Sequence, residues 1–344
     1  MTIPTIANSK VAIFSDLHLG VRQNSIEWHR ISLEWCDWFV NLLEKEQITD
    51  VLFLGDLFHY RDEIAVNTLY VGYQLLKKLE KYNKIMIPGN HDSFYRHHSD
   101  VNSIKVFDGW SNLYICDEIT SVIIGGKQCL FVPWGKDFTQ SPRHDYLFGH
   151  LEIKTFRMNN SKTCDHGLEV DACLRVAPRV FSGHFHLREA RTFPTGTVVY
   201  VGNPFEMDFG DAGSTKGVFI LDTVQETVRF VENTISPRHI RVPISDIQNH
   251  TSAQLAGNIV KVVVDKKLPA VDVERILNEC KQHSPLAVLS EYALPGIKLA
   301  SDAPAESLNG VSFSQAIHEF VHQLNPPNLA DVLAVCEDIY NSQQ

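Results

Sequence analysis

Residues 11–18 read VAIFSDLH, residues 51–56 read VLFLGD, and residues 85–92 read IMIPGNHD. Each stretch is a short apolar run, typical of a buried strand, followed at once by polar residues that can bind a cation. Between the first two runs, Ile31, Trp35, Trp38 and Leu42 recur at helical spacing. This alternation predicts an open, largely parallel α/β sheet layered with helices, with a functional site where the strands end.

The second part of the chain is richer in strand patterns. Residues 121–124 and 128–132 flank Gly125-Gly126, which predicts a hairpin. Further short strands are predicted at residues 146–148, 180–182, 198–201, 217–221 and 227–231. A break at Ser236-Pro237 predicts the end of a first domain, residues 1–237.

Two smaller pieces are predicted after this break. Residues 238–300 are predicted as a small α/β domain, because a strand at 259–264, a helix at 271–282 and a strand at 286–289 follow one another. Residues 301–344 are predicted as a linker followed by two amphipathic helices.

Composition indicates a globular protein without a membrane span. The 344 residues contain 44% apolar residues, but no run approaches the roughly 20 that a bilayer crossing needs, and we expect no signal peptide. Seven cysteines without a Cys-x-x-Cys pair predict reduced thiols in the cytoplasm. The net charge of -10 argues against a nucleic-acid-binding protein. Two divalent cations would add +4, and any DNA contact must come from a local patch, from dimerisation or from a partner.

Five segments place cation ligands directly after predicted strands. They are Asp16-Leu17-His18, Gly55-Asp56, Gly89-Asn90-His91-Asp92, Gly149-His150 and Gly183-His184-Phe185-His186. Carboxylates, an amide and imidazoles without a thiolate suit Mn²⁺, Fe²⁺ or Zn²⁺. One aspartate can bridge two cations about 3.5–4 Å apart, the spacing of two-metal hydrolytic sites. A single Gly-Asp or Gly-His pair is ordinary turn chemistry, whereas five such segments in this order indicate a two-metal site.

These segments resemble the calcineurin-like metallophosphoesterase superfamily over about residues 10–235. The resemblance implies an α/β (α+β) fold, a two-sheet sandwich flanked by helices. It implies that Asp56 bridges two metals, one held also by Asp16, His18 and His186 and the other by Asn90, His150 and His184. It also implies that His91 is not a ligand but faces the scissile phosphate, where it protonates the leaving oxygen or stabilises charge. Asp92 then orients its neighbours, or alternatively caps a helix.

Within the superfamily, the chain is similar to double-strand-break repair nucleases of the SbcD type and to their phage counterpart. In the stretch Gly55-Asp56-Leu57-Phe58-His59, the last residue corresponds to a histidine that contacts the DNA phosphodiester. Residues 149–242 carry the likeness to the phage form, including Tyr200-Val201-Gly202-Asn203-Pro204. The resemblance implies a nuclease with two Mn²⁺ (Mg²⁺, Fe²⁺ or Zn²⁺ being possible), acting 3′ to 5′ on duplex ends and cutting single strands.

The same likeness implies partners. Residues 238–300 would restrict the approach of DNA, and the helices within 311–341 would bind the coiled coil of an SbcC-type ATPase. The alternative for these helices is packing against their own domain. We also expect a homodimer, located in the cytoplasm or, for a viral protein, in the host cytoplasm or nucleoid.

Two other functions fit the same motifs. A phosphodiesterase or phosphatase for small nucleotides or phosphoproteins would share the metal chemistry but would not need His59 or the C-terminal residues. A catalytically dead scaffold would have lost ligands, and none of the eight expected positions is replaced.

Overall fold

The apolar runs at residues 11–14, 51–54 and 85–87 form adjacent parallel strands, as their composition predicts. Every residue of Asp50–Phe53 is buried, and so are Val11 and Ile13. Strands buried on both faces need a packing layer on each side. The computed structural model describes residues 5–160, 162–266 and 268–293, with the isolated positions 321, 329, 332, 333 and 335.

The described elements follow in chain order. The strands are β1 (Thr5–Ile6), β2 (Lys10–Phe14), β3 (Asp50–Phe53), β4 (Asn83–Met86), β5 (Leu113–Ile115), β6 (Thr120–Ile124), β7 (Lys127–Val132), β8 (Tyr146–His150), β9 (Arg179–Gly183), β10 (Glu189–Phe193), β11 (Gly196–Tyr200), β12 (Gly217–Asp222), β13 (Thr227–Glu232), β14 (His239–Pro243), β15 (Ile259–Val264) and β16 (Ala287–Tyr292). The helices are α1 (Val21–Asn24), α2 (Ile26–Glu46), α3 (Val66–Lys78), α4 (Val170–Val176), α5 (Ser252–Leu255) and α6 (Ala270–Lys281), and short 3₁₀ helices lie at Ser103–Phe107 and Ile247–Asn249.

Two sheets form the main body. The first has the order β13-β12-β2-β3-β4-β5 and the second the order β1-β6-β7-β8-β9-β11-β10. Strands β2 to β5 are parallel, whereas β12 pairs with β2 antiparallel. The two-sheet sandwich with flanking helices is confirmed. The single open sheet suggested by alternation in the first half was incomplete, because half of the sandwich comes from the strand-rich stretch after residue 120.

Apolar side chains fill three layers of this body. Trp35 and Phe39 of α2 pack on Phe14 and belong to a cluster between the helices and the first sheet. A second cluster, with Leu52 and Phe148, lies between the two sheets. A third covers the outer face of the second sheet beneath α4. We call these the helix-side, central and outer clusters.

The predicted hairpin joins β6 and β7, which pair antiparallel. Gly125 (φ 56°) and Gly126 (φ 82°) both adopt positive φ. Two consecutive positive φ values give the turn that matches the twist of a two-residue hairpin, and glycine adopts them without a Cβ penalty.

A third sheet follows residue 237, with the parallel order β14-β15-β16. Helix α6 packs on it and encloses a fourth apolar cluster, the C-terminal cluster, which includes Val262 and Val273. The contacts divide the chain into Met1–Tyr292 and Ala293–Gln344. The domain boundaries at 237 and 300 stay predictions, and the two terminal helices lie outside the residues that the structure describes, apart from isolated positions. In the described part of the chain, no helix combines the length and apolarity needed to cross a bilayer.

Candidate metal centre

The carboxyl ends of strands from both sheets meet at one edge of the sandwich. Asp16 and Asp56 follow β2 and β3, His150 ends β8, and His184 follows β9. Parallel strands deliver residues at their carboxyl ends to a common edge. The five predicted segments, which are far apart in the chain, therefore lie side by side.

Asp16, His18 and His186 form the first group of candidate ligands. Their ligand atoms lie within 4.8 Å of one another. The Nε2 atoms of His18 and His186 are 3.0 Å apart, and His18 Nε2 lies 3.9 Å from Asp16 Oδ1. We refer to these residues as the first ligand group.

Asn90, His150 and His184 form the second ligand group around the amide oxygen of the asparagine. Asn90 Oδ1 lies 2.9 Å from His150 Nε2 and 2.8 Å from His184 Nδ1. Two imidazole nitrogens and an amide oxygen thus point at one another from three separate elements.

Asp56 lies between the two groups. Its Oδ2 is 3.5 Å from His18 Nε2 and 3.5 Å from His150 Nε2. Its Oδ1 accepts a hydrogen bond from the backbone N–H of His91 at 2.8 Å. One carboxylate oxygen thus faces nitrogens of both ligand groups, which is the placement that a bridging ligand requires.

The charges of this cluster indicate a strong demand for a cation. Burial raises the pKa of the Asp56 carboxyl, but His150, His18 and His91 outweigh burial and hold this pKa well below its ordinary value. Burial lowers the pKa of His150, yet Asp56 and Asp16 outweigh it and raise the pKa to about 9. The two buried carboxylates therefore favour positive charge at the very point where their oxygens converge.

The backbone is strained at several of these positions. Asp16 (φ 56°), His18 (φ 46°), Asp56 (φ 61°) and His184 (φ 88°) all adopt left-handed conformations. Such conformations cost about 1–3 kcal/mol each in a non-glycine residue and persist where surrounding contacts fix them. These backbone conformations turn the side chains toward one another, whereas side chains along a regular strand point alternately to its two faces.

Gly89 allows the backbone to approach the candidate bridging carboxylate. A Cβ at this position would lie 2.1 Å from Asp56 Oδ1 and 2.6 Å from Asp56 N. Any larger residue would displace Asp56 from its place between the two groups.

Asp92 holds the loop that carries Asp56. Its Oδ2 accepts hydrogen bonds from the N–H groups of Asp56 and Gly89 at 2.8 and 3.0 Å. Its Oδ1 accepts from Leu57 and Phe58 at 2.9 and 3.1 Å. Burial, followed by the Asp56 charge, raises the pKa of Asp92 to about 6. Of the two roles considered, these contacts match the orienting one, and the first helical turn described after Asp92 begins only at Ser103.

His59 and His91 lie beside the first ligand group. The His91 ring is 4.7 Å from the His18 ring and 5.3 Å from the His59 ring. His91 Nδ1 donates to the carbonyl oxygen of His59 at 2.5 Å. Burial, followed by the neighbouring His91, lowers the pKa of His59 to about 4.

An open cleft of about 1140 Å³ leads to these residues. Its wall includes His59 and His91, the second-group residues Asn90 and His184, and further residues that sequence reasoning did not assign, such as Trp134 and Glu152. Trp134 lies two residues after β7, so its position at a strand end was a usable signal. Its ring is 5.0 Å from that of His184.

Further polar side chains lie in different places near this site. Arg61, Arg96 and His97 line the cleft, whereas Arg22 Nη2 donates to the Met207 carbonyl at 3.2 Å. Cys164 and His166 approach Glu152 closely enough to form a possible ligand group. The six described cysteines are free thiols.

The residues of the two ligand groups fit a pair of divalent cations. Carboxylate, imidazole and amide donors converge without a thiolate, and one oxygen faces both groups. The roles assigned to individual residues remain predictions, although the side chains do meet as those roles require.

Comparisons with known proteins agree with this geometry. Residues 9–188 match the family model for calcineurin-like phosphoesterases. The chain is 28% identical over 282 residues to exonuclease subunit 1 of Enterobacteria phage T4, an alignment that covers 77% of this chain and 80% of the phage protein.

Solved structures give weaker matches. An archaeal phosphodiesterase is 16% identical, with 65% of this chain and 99% of that chain covered and a TM-score of 0.37. A dimetal phosphatase from Danio rerio is 13% identical, with coverages of 61% and 91% and a TM-score of 0.40. The family match spans more than half of the sequence and confirms the resemblance. This chain belongs to the calcineurin-like phosphoesterase family and is a metal-dependent phosphodiesterase.

Proposed function

We propose that the chain is the nuclease subunit of a recombination or break-repair complex and hydrolyses DNA with two Mn²⁺ ions. On this proposal it degrades duplex ends 3′ to 5′ and cuts single strands. The observation that carries the proposal is the position of His59, which lines the cleft and whose ring lies next to those of His18 and His91. The 28% identity to a phage exonuclease subunit supports it.

The two ligand groups and Asp56 would hold the cations. When bound, these ions supply Lewis acidity at the phosphoryl oxygens and make water a competent nucleophile near neutral pH. The chain itself contributes fixed donors, because Asp92 and the strained loops hold the ligands before any substrate arrives.

On this proposal His91 gives a proton to the leaving oxygen. A carbonyl oxygen only accepts hydrogen bonds, so the contact with the His59 carbonyl fixes a hydrogen on His91 Nδ1. Nε2 is then the nitrogen that gains and gives up a proton.

His59 would donate a hydrogen bond to the phosphodiester as a neutral ring. If His18 Nε2 holds a cation, its Nδ1 carries the hydrogen and can donate to His59 Nδ1, which lies 3.4 Å away. His59 then carries its own hydrogen on Nε2. The lowered pKa of His59 keeps the ring neutral near pH 7.

The cleft also offers contacts for a nucleotide beyond its phosphate. Phe94 is 50% exposed and lines the cleft with Trp134, Arg61 and Arg96. Aromatic faces stack on nucleobases and arginines pair with phosphates. These side chains would give DNA a local contact surface in a chain of net charge -10, although Asp62, Glu63 and Glu152 line the same cleft.

Partners are proposed on the same basis. The phage relative is named as a subunit, which supports a larger assembly. We propose that residues 238–300 limit the approach of DNA and that residues 301–344 bind an SbcC-type ATPase. We also propose that the chain forms a homodimer and acts in the cytoplasm, or in the host cytoplasm if the protein is viral.

A comparison of two substrates tests the proposal. End-labelled linear duplex and single-stranded DNA are set against bis(p-nitrophenyl) phosphate, each with Mn²⁺ or Mg²⁺ and with or without a candidate ATPase partner. We expect His59→Ala to reduce DNA turnover at least about tenfold, the usual loss for one hydrogen bond to a charged group. Efficient hydrolysis of small diesters or phosphoproteins together with inert DNA would favour the alternative phosphodiesterase or phosphatase instead.

A further inference from the structure

Each candidate histidine ligand has two ring nitrogens, and the one that faces the cation determines whether the other must donate a hydrogen bond. A ring nitrogen that binds a cation must be unprotonated, so the other nitrogen of the neutral ring carries the hydrogen and needs an acceptor. For His150, Nε2 faces Asn90 and Nδ1 lies 2.7 Å from the Leu54 carbonyl oxygen. The backbone satisfies this ring.

His184 has no such backbone acceptor among the residues that the structure describes. Its Nδ1 points at Asn90 Oδ1, and within the same residues its buried Nε2 has no hydrogen-bond partner. The Glu152 carboxylate lies on that side, with Oε1 3.6 Å from His184 Nε2. The same oxygen is 3.0 Å from Nε2 of His166, which is the more exposed of the two rings.

His186 shows the same arrangement in the first ligand group. Its Nε2 faces His18, and its Nδ1 lies 3.9 Å from Asp211 Oδ2. Lys216 Nζ donates to Asp211 Oδ1 and to the His186 carbonyl, both at 2.8 Å. Asn203 Nδ2 and Met207 N also donate to Asp211 Oδ2. The carboxylate that faces the ring is therefore itself firmly held.

We infer that Glu152 and Asp211 are positioning residues, one for each ligand group, which accept the ring hydrogens of His184 and His186 and so set which nitrogen of each ring faces the metal. The inference rests on the metal assignment in the proposed function. Neither Glu152 nor Asp211 belongs to a ligand group. On this inference Glu152 positions a ligand of the second group only, and Asp211 positions a ligand of the first group only.

Variants with one functional ligand group allow the two roles to be tested separately. His18→Ala leaves the second group intact, and His150→Ala leaves the first. Manganese affinity of each variant is measured from the EPR signal of free Mn²⁺. We expect Glu152→Gln to weaken binding about 10- to 100-fold in the His18→Ala background, the usual cost of losing such a partner, and less than about threefold in the His150→Ala background. Asp211→Asn should give the reverse pattern.

A matched control distinguishes the two rings that share Glu152. His166→Gln removes the other partner of the carboxylate, so manganese affinity in the His18→Ala background should stay within about threefold. A loss equal to that of Glu152→Gln would show that Glu152 acts through His166 and would overturn this half of the inference.

Thermal melting of every variant detects any loss of folding. If an alanine background unfolds, the two Mn²⁺ binding steps of the intact protein are compared instead, and Glu152→Gln and Asp211→Asn should weaken different steps. Equal effects on both steps, or none, contradict the inference. Manganese affinity is measured without DNA, so failure of the nuclease proposal would appear separately, as inert DNA with intact metal binding.

Discussion

The two oxygens of Asp56 have different tasks. Oδ2 faces His18 and His150, whereas Oδ1 receives the backbone N–H of His91. The side chain that lies between the ligand groups therefore also fixes the residue proposed to protonate the leaving oxygen. If the proposed roles hold, one carboxylate would couple metal binding to the protonation of the leaving oxygen.

We predict that His91→Asn abolishes turnover while leaving metal binding intact. Loss of a general acid costs about 10²- to 10⁴-fold in rate, and the backbone N–H that reaches Asp56 is kept. Turnover on DNA and bound Mn²⁺ per chain are the two measurements.

His97→Asn is the control, since His97 lines the same cleft but is exposed and belongs to neither ligand group. Its turnover should change by less than about threefold. Full activity of His91→Asn would remove the proposed role of His91.

We predict that Gly89→Ala loses bound metal because its Cβ would collide with Asp56 Oδ1. Gly109→Ala controls for the general cost of an added methyl group. Gly109 has φ 86° with open space around it. Gly109→Ala should therefore lower the free energy of unfolding by about 1 kcal/mol and leave the metal content unchanged. Metal content and urea unfolding of both variants are compared. Normal metal content in Gly89→Ala would contradict the steric argument.

The candidate ligand residues could be singled out because each lies in a short motif directly after an apolar strand, as Asp16 and His150 do. Glu152 also lies just after a strand, β8, but sequence reasoning assigned it no role. Asp211 carries no comparable local signal. Asp211 meets His186 only through the folded loop between β11 and β12, so its placement depends on contacts that sequence spacing does not encode.

At the level of elements, strand β4 contains a buried lysine. Lys84 is only 3% exposed, and its Nζ donates to the carbonyls of Leu79 and Tyr82 at 3.0 and 2.7 Å. Burial lowers the pKa of Lys84 from 10.5 to about 8. The lysine satisfies carbonyl groups just beyond α3 at the cost of burying its charge.

This lysine predicts a pH-dependent stability. Between about pH 8 and 10.5 the Lys84 amine is protonated in the unfolded chain but largely neutral in the folded chain. The cost of burying the charged amine therefore lowers the free energy of unfolding fully below pH 8 and disappears as the pH rises. Relative to Lys84→Met, the wild type should gain about 3 kcal/mol of unfolding free energy over that interval. Urea unfolding at several pH values measures it. A difference between the wild type and Lys84→Met that stays flat with pH would refute the prediction.

Most elements were predictable from periodicity, and the exceptions have physical causes. Helix α2 appears where Ile31, Trp35, Trp38 and Leu42 recur at helical spacing. Strand β14 was missed because it contains His239, Arg241 and Pro243, which resemble a loop in the sequence. It becomes a strand by pairing with the strongly apolar β15.

For the whole molecule, we expect metal binding to contribute a large part of the free energy of unfolding. A ligand at a hundredfold its Kd adds about 2.7 kcal/mol to the folded state, and the buried carboxylates need a counter-charge. We predict that chelation lowers the melting temperature and that Mn²⁺ restores it. Asp56→Asn should lose most of this response and His91→Asn should keep it. An identical response in both variants would contradict the proposed ligand set.

The buried cysteines can serve as native probes of local unfolding in different regions of the fold. Each apolar cluster contains its own cysteine: Cys36 in the helix-side cluster, Cys116 and Cys129 in the central one, Cys164 and Cys173 in the outer one, and Cys280 in the C-terminal one. An alkylating reagent reaches a buried sulfur only when its surroundings open. Mass spectrometry of labelled peptides would thus rank the four regions by how readily each opens, without the introduction of a single probe.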